Sequence, residues 1–462
     1  MQNMKWTLRE VVTAWDYSYS LQNADNVLDQ TIVAVSIDSR KMQPGDLFVA
    51  ISGDVFDGHN FVKQALEKGA LAAVVSKQWL QKNPGFAGRT LIVEDTLVAL
   101  QKIAAAYRKK LNPFVFALTG TNGKTTTKEM IANVVSAEKT THKTTGNLNN
   151  HIGVPLTLLA MREPVEVAVV EMGMNHAREI LTLCEIAQPN AVLITNIGRG
   201  HTEFFGGLEG VKKAKQEIFD YIAPRGTACV NIDDTNVVRA AHDAGVALMC
   251  KYGFSPEAEI RGENLSLGED GCARFSWNGA MIRVAIPGLH NGHNALAAIA
   301  AGSVTGISPA KIIDAVQKEI AVSGRMNKLE VGHRTVLDDS YNANPESMLA
   351  ALGTLVSLPG KGKRYAALGD MLELGVLAEE SHKSVLQAAI DKNLDFVFTY
   401  GPEMEKATKK LQNSRIRHFK SKDEIISEIQ KMSEPGDVLL IKGSRGMRME
   451  DILTALQNKL PV

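Results

Sequence analysis

Residues 114–127 read FVFALTGTNGKTTT, and the order of residue types in this stretch decides the architecture. The apolar run FVFAL has the length and composition of a buried strand. Behind it stands Thr119-Gly120-Thr121-Asn122-Gly123-Lys124-Thr125-Thr126. Glycines let backbone N–H groups curl around phosphate oxygens, and a following helix turns the positive end of its dipole toward them. In such a loop Lys124 would bridge the β- and γ-phosphates and the Thr125 hydroxyl would meet Mg²⁺. The common pattern G-x-x-x-x-G-K-[ST] has glycine where this chain has Leu118. A chance GKT in a turn is the competing reading, and the strand before and helix after weigh against it.

Working outward, strand-like segments EVAVVEM (166–172), AVLIT (191–195) and TACVNI (227–232) alternate with helix-like ones. That alternation implies βαβ units and a mostly parallel sheet with helices on both faces. Upstream, TIVAVSI (31–37), LFVAI (47–51), LAAVVS (71–76) and TLIV (90–93) read as short buried strands, with a helix over HNFVKQALEKG, and Asn112-Pro113 punctuates the end of the unit. From Glu259 to Pro287 short alternating stretches predict an antiparallel appendage, followed by a helix over NALAAIAAG. After Ser323-Gly324, TVLDD, KRYAALG, DFVFTY and DVLLIKG begin a second α/β alternation. The 462 residues suit about three domains. The predicted fold class is α/β, with a small domain over 1–112, a central phosphate-loop domain over 113–321 and a Rossmann-like domain over 322–462.

Composition narrows the function. Lys+Arg and Asp+Glu both number 51, so no net field recruits nucleic acid or a membrane surface. No apolar run reaches the roughly 18–20 residues of a membrane span. The opening MQNMKWTLREVV lacks a basic region followed by an apolar one, so no signal peptide is expected. Cys184, Cys229, Cys250 and Cys272 are widely spaced without a CxxC, which predicts buried reduced thiols in a cytoplasmic protein.

Several side chains stand out as candidates. Glu171 ends a buried-looking strand, and ligands gather at the carboxyl ends of strands in open α/β sheets. His201, in TNIGRGHTEFFG, is a metal-capable imidazole after another strand. Lys215, in VKKAKQEIF, reads by itself as one more lysine on a solvated helix face. Arg325 has the planar fork that suits transferring phosphate, and Asp339 could accept from ribose hydroxyls. The glycine-rich KGSRG (442–446) closes this set. Glu171 could equally be a strand-end acid in solvent, and His201, Arg325, Asp339 and KGSRG could equally belong to surface loops. No serine triad, G-x-G-x-x-G or zinc cluster is present in the sequence.

Ten segments in order resemble the Mur ligase family across essentially the whole chain: IDSRKMQPGDLFVAISGDVFDGHNF, TGTNGKTTTKEM, TTGNLNNHIGVPLTLL, EMGMNHAREI, TNIGRGHTEFFG, AKQEIF, HNGHNALAAIAAG, LDDSYNANPESM, LGDMLELG and KGSRGMRMEDIL. The family's loop lacks the first glycine of the common pattern, so Leu118 is expected there. The resemblance implies an amino-terminal domain for a UDP-linked substrate, a central one for ATP and a carboxyl-terminal one for the incoming amine. By position, Gly120, Thr121, Asn122, Gly123, Lys124, Thr125 and Thr126 would hold ATP. Asn294 would meet adenine, Arg325 the γ-phosphate and Asp339 the ribose. Thr125 and Glu171 would hold one Mg²⁺; Glu171, His201 and a carbamylated Lys215 would hold a second. Ser36, Ser39 and Arg40 fall in the uridine-nucleotide segment, and Asn147, Asn149 and Asn150 in a sugar- and peptide-binding loop. Asn342 and Asn344 match the segment that reads the acceptor, while His151 occupies a position where close relatives are expected to carry aspartate.

NPES and LGDMLELG point toward the member that adds D-Ala-D-Ala to UDP-MurNAc-tripeptide, expected as a monomer. A ligase for folate or for an earlier peptidoglycan precursor stays open. A phosphate-loop NTPase that switches a partner protein is the reading from another class, and no guanine-reading NKxD is found.

Overall fold

Valine, alanine and leucine fill the strands Leu47–Val49, Ala72–Ser76 and Thr90–Val93, and almost every residue in them is buried. Such continuous apolar runs belong to sheets covered on both faces. The computed structural model describes residues 4–53, 55–320 and 322–458. It divides into two units, the first comprising Met1–Ala117, Lys139–Met174 and Arg178–Ala191, the second Leu118–Glu138, Asn175–Ala177 and Val192–Val462. Ala321, beside the boundary expected at 322, and the opening residues 1–3 lie outside the described residues.

In the first unit a five-stranded sheet runs Ser20–Gln22, Thr90–Val93, Ala72–Ser76, Leu47–Val49, Val35–Ser36, parallel except for its Ser20–Gln22 edge. The strand expected over 31–37 survives only at Val35–Ser36. The reason lies in the backbone partners: Ile32 N–H donates to the Trp6 carbonyl and Val33 N–H to that of Gly45, so no continuous ladder forms. Helix Thr96–Leu111 starts where Asp95 accepts from the N–H groups of Leu97 and Val98. It ends at Asn112, whose left-handed φ of 47° precedes Pro113. Its Ala99, Leu100, Ile103, Ala104 and Tyr107 face is buried, and the Tyr107 hydroxyl donates to the Met161 carbonyl. Later in this unit strand Thr141–Lys143 pairs in parallel with Val167–Glu171, leaving Glu171 at a carboxyl end.

The second unit opens within strand Phe114–Thr119 and continues through the glycine loop into helix Lys124–Val135. Strands Thr227–Asn231, Met249–Gly253 and Ile260–Arg261 pair in parallel. The antiparallel appendage is present as Glu263–Leu267, Cys272–Trp277 and Ala280–Pro287; Ile260–Arg261, read as part of it, instead extends the parallel set. Helix Asn291–Val304 begins before NALAAIAAG and is buried from Asn294 to Gly302. It packs on Lys124–Val135, and a Cβ at Gly302 would lie 2.5 Å from Val134 Cγ1. The last sheet runs Asn327–Val331, Arg334–Asp339, Val438–Lys442, Arg364–Gly369, Phe396–Tyr400, Ile416–Phe419, with only its first strand antiparallel. All four cysteines are free thiols, three of them buried and Cys250 partly so. Among the described residues no helix is long and apolar enough to cross a membrane.

Gly302→Val should overpack the contact between the two helices that carry the loop and Asn294. The expected loss is about 1–3 kcal/mol, read as a lower midpoint in a urea titration followed by circular dichroism. An unchanged midpoint would show that the helices part without cost.

Candidate active site

The loop after Thr119 is held by three residues that follow strand Ala191–Ile194. Thr195 Oγ1 donates to the Asn122 carbonyl at 2.6 Å. Asn196 brackets the same residue, accepting from its N–H at 2.8 Å and donating to its carbonyl at 3.0 Å. Gly198 N–H donates to Thr121 Oγ1. Gly120 has φ +153°, and a Cβ there would lie 1.9 Å from Thr195 Oγ1. Gly123 has φ +79°, and its Cβ would lie 2.5 Å from Asn294 Oδ1. Both glycines are therefore required by fit as well as by conformation. The first-turn N–H groups of helix Lys124–Val135 lack intrahelical acceptors, as in any helix, and form the anion-facing end.

Two amines converge on one atom here. Lys124 Nζ donates to the Gly120 carbonyl at 2.8 Å, and Lys215 Nζ donates to the same oxygen at 3.0 Å. Lys215 is 2% exposed. The solvated helix face expected from its local sequence is wrong: Lys215 lies on the buried stripe of helix Leu208–Ile222, with Val211, Ala214, Ile218 and Phe219. Burial, reinforced by the charge of Lys124, holds its amine well below the ordinary lysine value.

A cavity of about 510 Å³ opens on the loop, within the range of small-molecule sites. Thr121, Asn122, Gly123, Lys124, Thr126, His201, Asn294, Arg325, Asp339, Asn342 and Asn344 all line it. Gly120 belongs to the loop and Thr125 to the first turn of helix Lys124–Val135, and Lys215 stands behind the loop. At one wall Asn294 Nδ2 donates to Asn291 Oδ1 and its Oδ1 accepts from Thr127. Nearby, His293 stands 3.5 Å from Asp233 and edge-on to Phe254. Burial pushes the imidazoles of His290 and His293 below their ordinary value.

At the opposite wall, Asp339 and Lys442 are register partners at the ends of neighbouring parallel strands. Lys442 Nζ meets Asp339 Oδ2 at 2.6 Å and the Asn342 carbonyl at 2.9 Å. Burial lowers the Lys442 amine, against the pull of Asp339. The Arg325 guanidinium sits 4.2 Å from the centre of the Tyr341 ring, a cation–π arrangement that holds the fork beside the cavity. Asn344 caps helix Pro345–Ser357 by accepting from Ser347 N–H. Its Nδ2 also donates to Asn122 Oδ1 at 2.7 Å. His201 Nδ1 lies 2.6 Å from Glu373 Oε2 without an aligned N–H···O, and the nearby imidazole holds the Glu373 carboxyl below its ordinary value.

In the first unit, Glu171 is 2% exposed and accepts from Asn149 Nδ2 at 2.8 Å. Asn150 caps helix Gly153–Leu159, accepting from Ile152 and Gly153. Asn147 and His151 are exposed. Ser39 donates to Gln64, and Arg40 grips Asp38 through Nε and Nη2. The Arg40 grip and the Asp38 N–H bond to Ser36 Oγ at 3.2 Å make this a tied turn.

Three family profiles match the chain: "Mur ligase family, catalytic domain" over 31–108, "Mur ligase middle domain" over 118–302, and "Mur ligase, glutamate ligase domain" over 324–445. A Bacillus subtilis (strain 168) protein named UDP-N-acetylmuramoyl-tripeptide–D-alanyl-D-alanine ligase is 38% identical over 93% of this chain and 94% of its own. This chain belongs to the Mur ligase family. Among solved Mur ligases, MurF from Acinetobacter baumannii superposes with a TM-score of 0.89 at 31% identity, covering 98% of this chain and 99% of that one. MurF from Thermotoga maritima in complex with ADP superposes with a TM-score of 0.81 at 27% identity, covering 92% and 97%.

Sequence reading missed Thr195 and Asn196 as loop supports, Lys442 as the partner of Asp339, and Glu373 as the partner of His201. The segments TNIGRGH, KGSRG and LGDMLELG contained them, but only the fold pairs them with their partners. Asp339→Asn should leave the buried Lys442 amine without its counter-charge. Breaking one partner of a buried pair costs about 3–5 kcal/mol, so the urea midpoint should fall clearly. A midpoint unchanged from wild type would mean that Lys442 sheds its proton in the native protein.

Proposed function

We propose that the chain is an ATP-dependent ligase that joins D-Ala-D-Ala to UDP-N-acetylmuramoyl-tripeptide through an acyl phosphate, forming the pentapeptide precursor of peptidoglycan. The observation that carries this reading is full-length likeness to enzymes bearing that name, at 38% identity in the Bacillus subtilis case. The reading assigns 1–112 to the UDP-linked substrate, with Ser36, Ser39, Arg40, Asn147, Asn149 and Asn150 on it. It assigns 113–321 to ATP, and 322–462 to the acceptor and part of ATP. A monomer in the cytoplasm, where ATP is at hand, completes it.

A carboxylate resists attack by an amine because an oxide would have to leave. Transfer of the γ-phosphoryl group converts that oxygen into phosphate, a good leaving group. Lys124, on the loop, and Arg325, at the cavity wall, would neutralise the charge moving between the oxygens. The free amine of D-Ala-D-Ala then adds to the acyl carbon, and phosphate departs from the tetrahedral intermediate. Asp339 and Asn294 line the cavity; in this reading Asp339 would accept from ribose hydroxyls and Asn294 would meet adenine. Asn342 Oδ1 already accepts from Ala343 N–H, which leaves its Nδ2 for the dipeptide carboxylate. Asn344 is committed to its cap and to Asn122, so its contribution to the acceptor is indirect.

The reading includes Mg²⁺, a hard cation that takes oxygen donors. Among the described residues no three His, Cys, Asp or Glu side chains gather into a metal group, so the proposed set needs an oxygen from another source. A neutral amine adds to CO₂, releasing a proton and leaving a carbamate oxygen anion; buried Lys215, held toward its neutral form, suits that chemistry. Thr125, Glu171, His201 and carbamylated Lys215 would hold the metal, which would supply charge stabilisation on the phosphoryl oxygens.

The test is phosphate release with purified protein and ATP. Turnover should require both UDP-MurNAc-tripeptide and D-Ala-D-Ala, and Lys124→Ala should abolish it while leaving the circular dichroism spectrum intact. Phosphate release indifferent to the dipeptide would end the ligase reading. Lys215→Ala should be impaired and partly restored by added short carboxylates in place of the lost oxygen ligand; full activity without them would exclude the carbamate.

A further inference from the structure

Among the described residues, the lysine and arginine side chains on the cavity wall are Lys124, Arg325, Lys442 and Arg445. Three of them have work. Lys442 is buried, with its Nζ on Asp339 and on the Asn342 carbonyl. In the ligase reading Lys124 and Arg325 serve the transferring phosphoryl group. That leaves Arg445. Its side chain is 63% exposed and meets Glu450 Oε1 through Nη1 at 2.9 Å. Its Nε and Nη2 meet no acceptor among the described residues. These are the two donors by which Arg40 grips the carboxylate of Asp38.

The fork is carried on a fixed loop. Ser444 N–H donates to the Asp370 carbonyl, and Met447 N–H closes a turn onto the Ser444 carbonyl. Ser444 Oγ accepts from Leu372 N–H at 2.8 Å. The Arg445 N–H donates to Asn342 Oδ1 at 3.4 Å, an oxygen that also accepts from Ala343 N–H. Asn342 therefore turns its oxygen to the backbone and keeps Nδ2 as a donor beside the residue that carries the fork. Leu372, 44% exposed, lies against Gly446, where a Cβ would come within 2.9 Å of Leu372 Cδ1. It supplies apolar surface of the kind a methyl side chain covers.

Two guanidiniums share the Tyr341 ring, Arg325 Cζ at 4.2 Å from its centre and Arg445 Cζ at 5.6 Å. The ring attracts each cation, while the two like charges repel. Anionic ligands relieve that repulsion. The ligase reaction brings two kinds, the phosphates of ATP and the carboxylate of the dipeptide.

We propose that Arg445 binds the carboxylate of the incoming dipeptide, side-on through Nε and Nη2, with Asn342 Nδ2 as a further donor. A planar fork matches a carboxylate with two parallel bonds, which a lysine does not. Arg445 is then the group that selects an acceptor with a free carboxyl end. The inference rests on the ligase reading above.

The experiment uses the full-length protein with ATP, UDP-MurNAc-tripeptide and either D-Ala-D-Ala or D-alanyl-D-alaninamide. The amide keeps the attacking amine and both methyl groups and replaces the carboxylate with a neutral carboxamide. Wild type should prefer the acid roughly 10- to 100-fold in kcat/KM, the worth of a hydrogen bond to a charged group. In Arg445→Gln the KM for D-Ala-D-Ala should rise by a similar factor and the KM for ATP should stay. Acid and amide should then be used almost equally. Arg445→Lys, which keeps the charge and loses the fork, should show an intermediate preference. A preference for the acid that persists in Arg445→Gln overturns the proposal, and so does a wild-type preference in Arg445→Lys. A higher KM for ATP with the dipeptide KM unmoved would make Arg445 a phosphate ligand and overturn it too. Turnover of the wild type with neither acceptor would end the ligase reading and this inference together; the other outcomes leave the ligase reading standing.

Discussion

One carbonyl oxygen, that of Gly120, accepts from two lysine amines. Much of the site follows from this. Two ammonium groups on a buried acceptor repel, and the one with no access to water loses its proton more readily. Lys215 is that one. The arrangement separates the surroundings of two chemically identical side chains: Lys124 lines the cavity, while Lys215, buried behind the loop, is held well below the ordinary lysine value. It also explains why position 120 tolerates nothing larger than hydrogen. The loop backbone must approach Thr195 closely enough for the carbonyl to face helix Leu208–Ile222.

The opposite wall obeys a different rule. Parallel strands Arg334–Asp339 and Val438–Lys442 end level with each other, so their last residues are neighbours by register. A carboxylate and an amine there satisfy one another without reaching. The carboxyl end of a parallel sheet is where ligands gather in α/β folds, and the wall holding Asp339 and Lys442 is built from such ends. Helix Asn291–Val304, buried along its length against helix Lys124–Val135, keeps Asn294 beside Gly123.

The strand, loop and helix order at 114–135 was legible because local pattern alone specifies it. So was TLIV, which forms the strand Thr90–Val93 residue for residue. The stretch 31–37 misled because its β-branched residues satisfy a strand pattern while their N–H groups find separate partners in Trp6 and Gly45. Lys215 was misread from neighbouring lysines: Lys212 and Lys213 are charged residues on the same helix, and only the packing shows which turn faces inward. Asn344 illustrates the other limit. Asn-x-Asn-Pro is strong turn chemistry, and the turn reading describes its cap correctly, yet no spacing rule could pair it with Asn122, 222 residues away.

That last pairing has a consequence of its own. Asn122 and Asn344 exchange hydrogen bonds through neutral amides, at 2.7 and 3.3 Å. Unlike an ion pair, such a clasp is indifferent to ionic strength and keeps its grip across the physiological pH range. Each bond is worth only about 0.5–1.5 kcal/mol net, comparable to thermal energy. The loop after Thr119 is thus joined to the start of helix Pro345–Ser357 by two weak bonds that the surrounding salt does not screen.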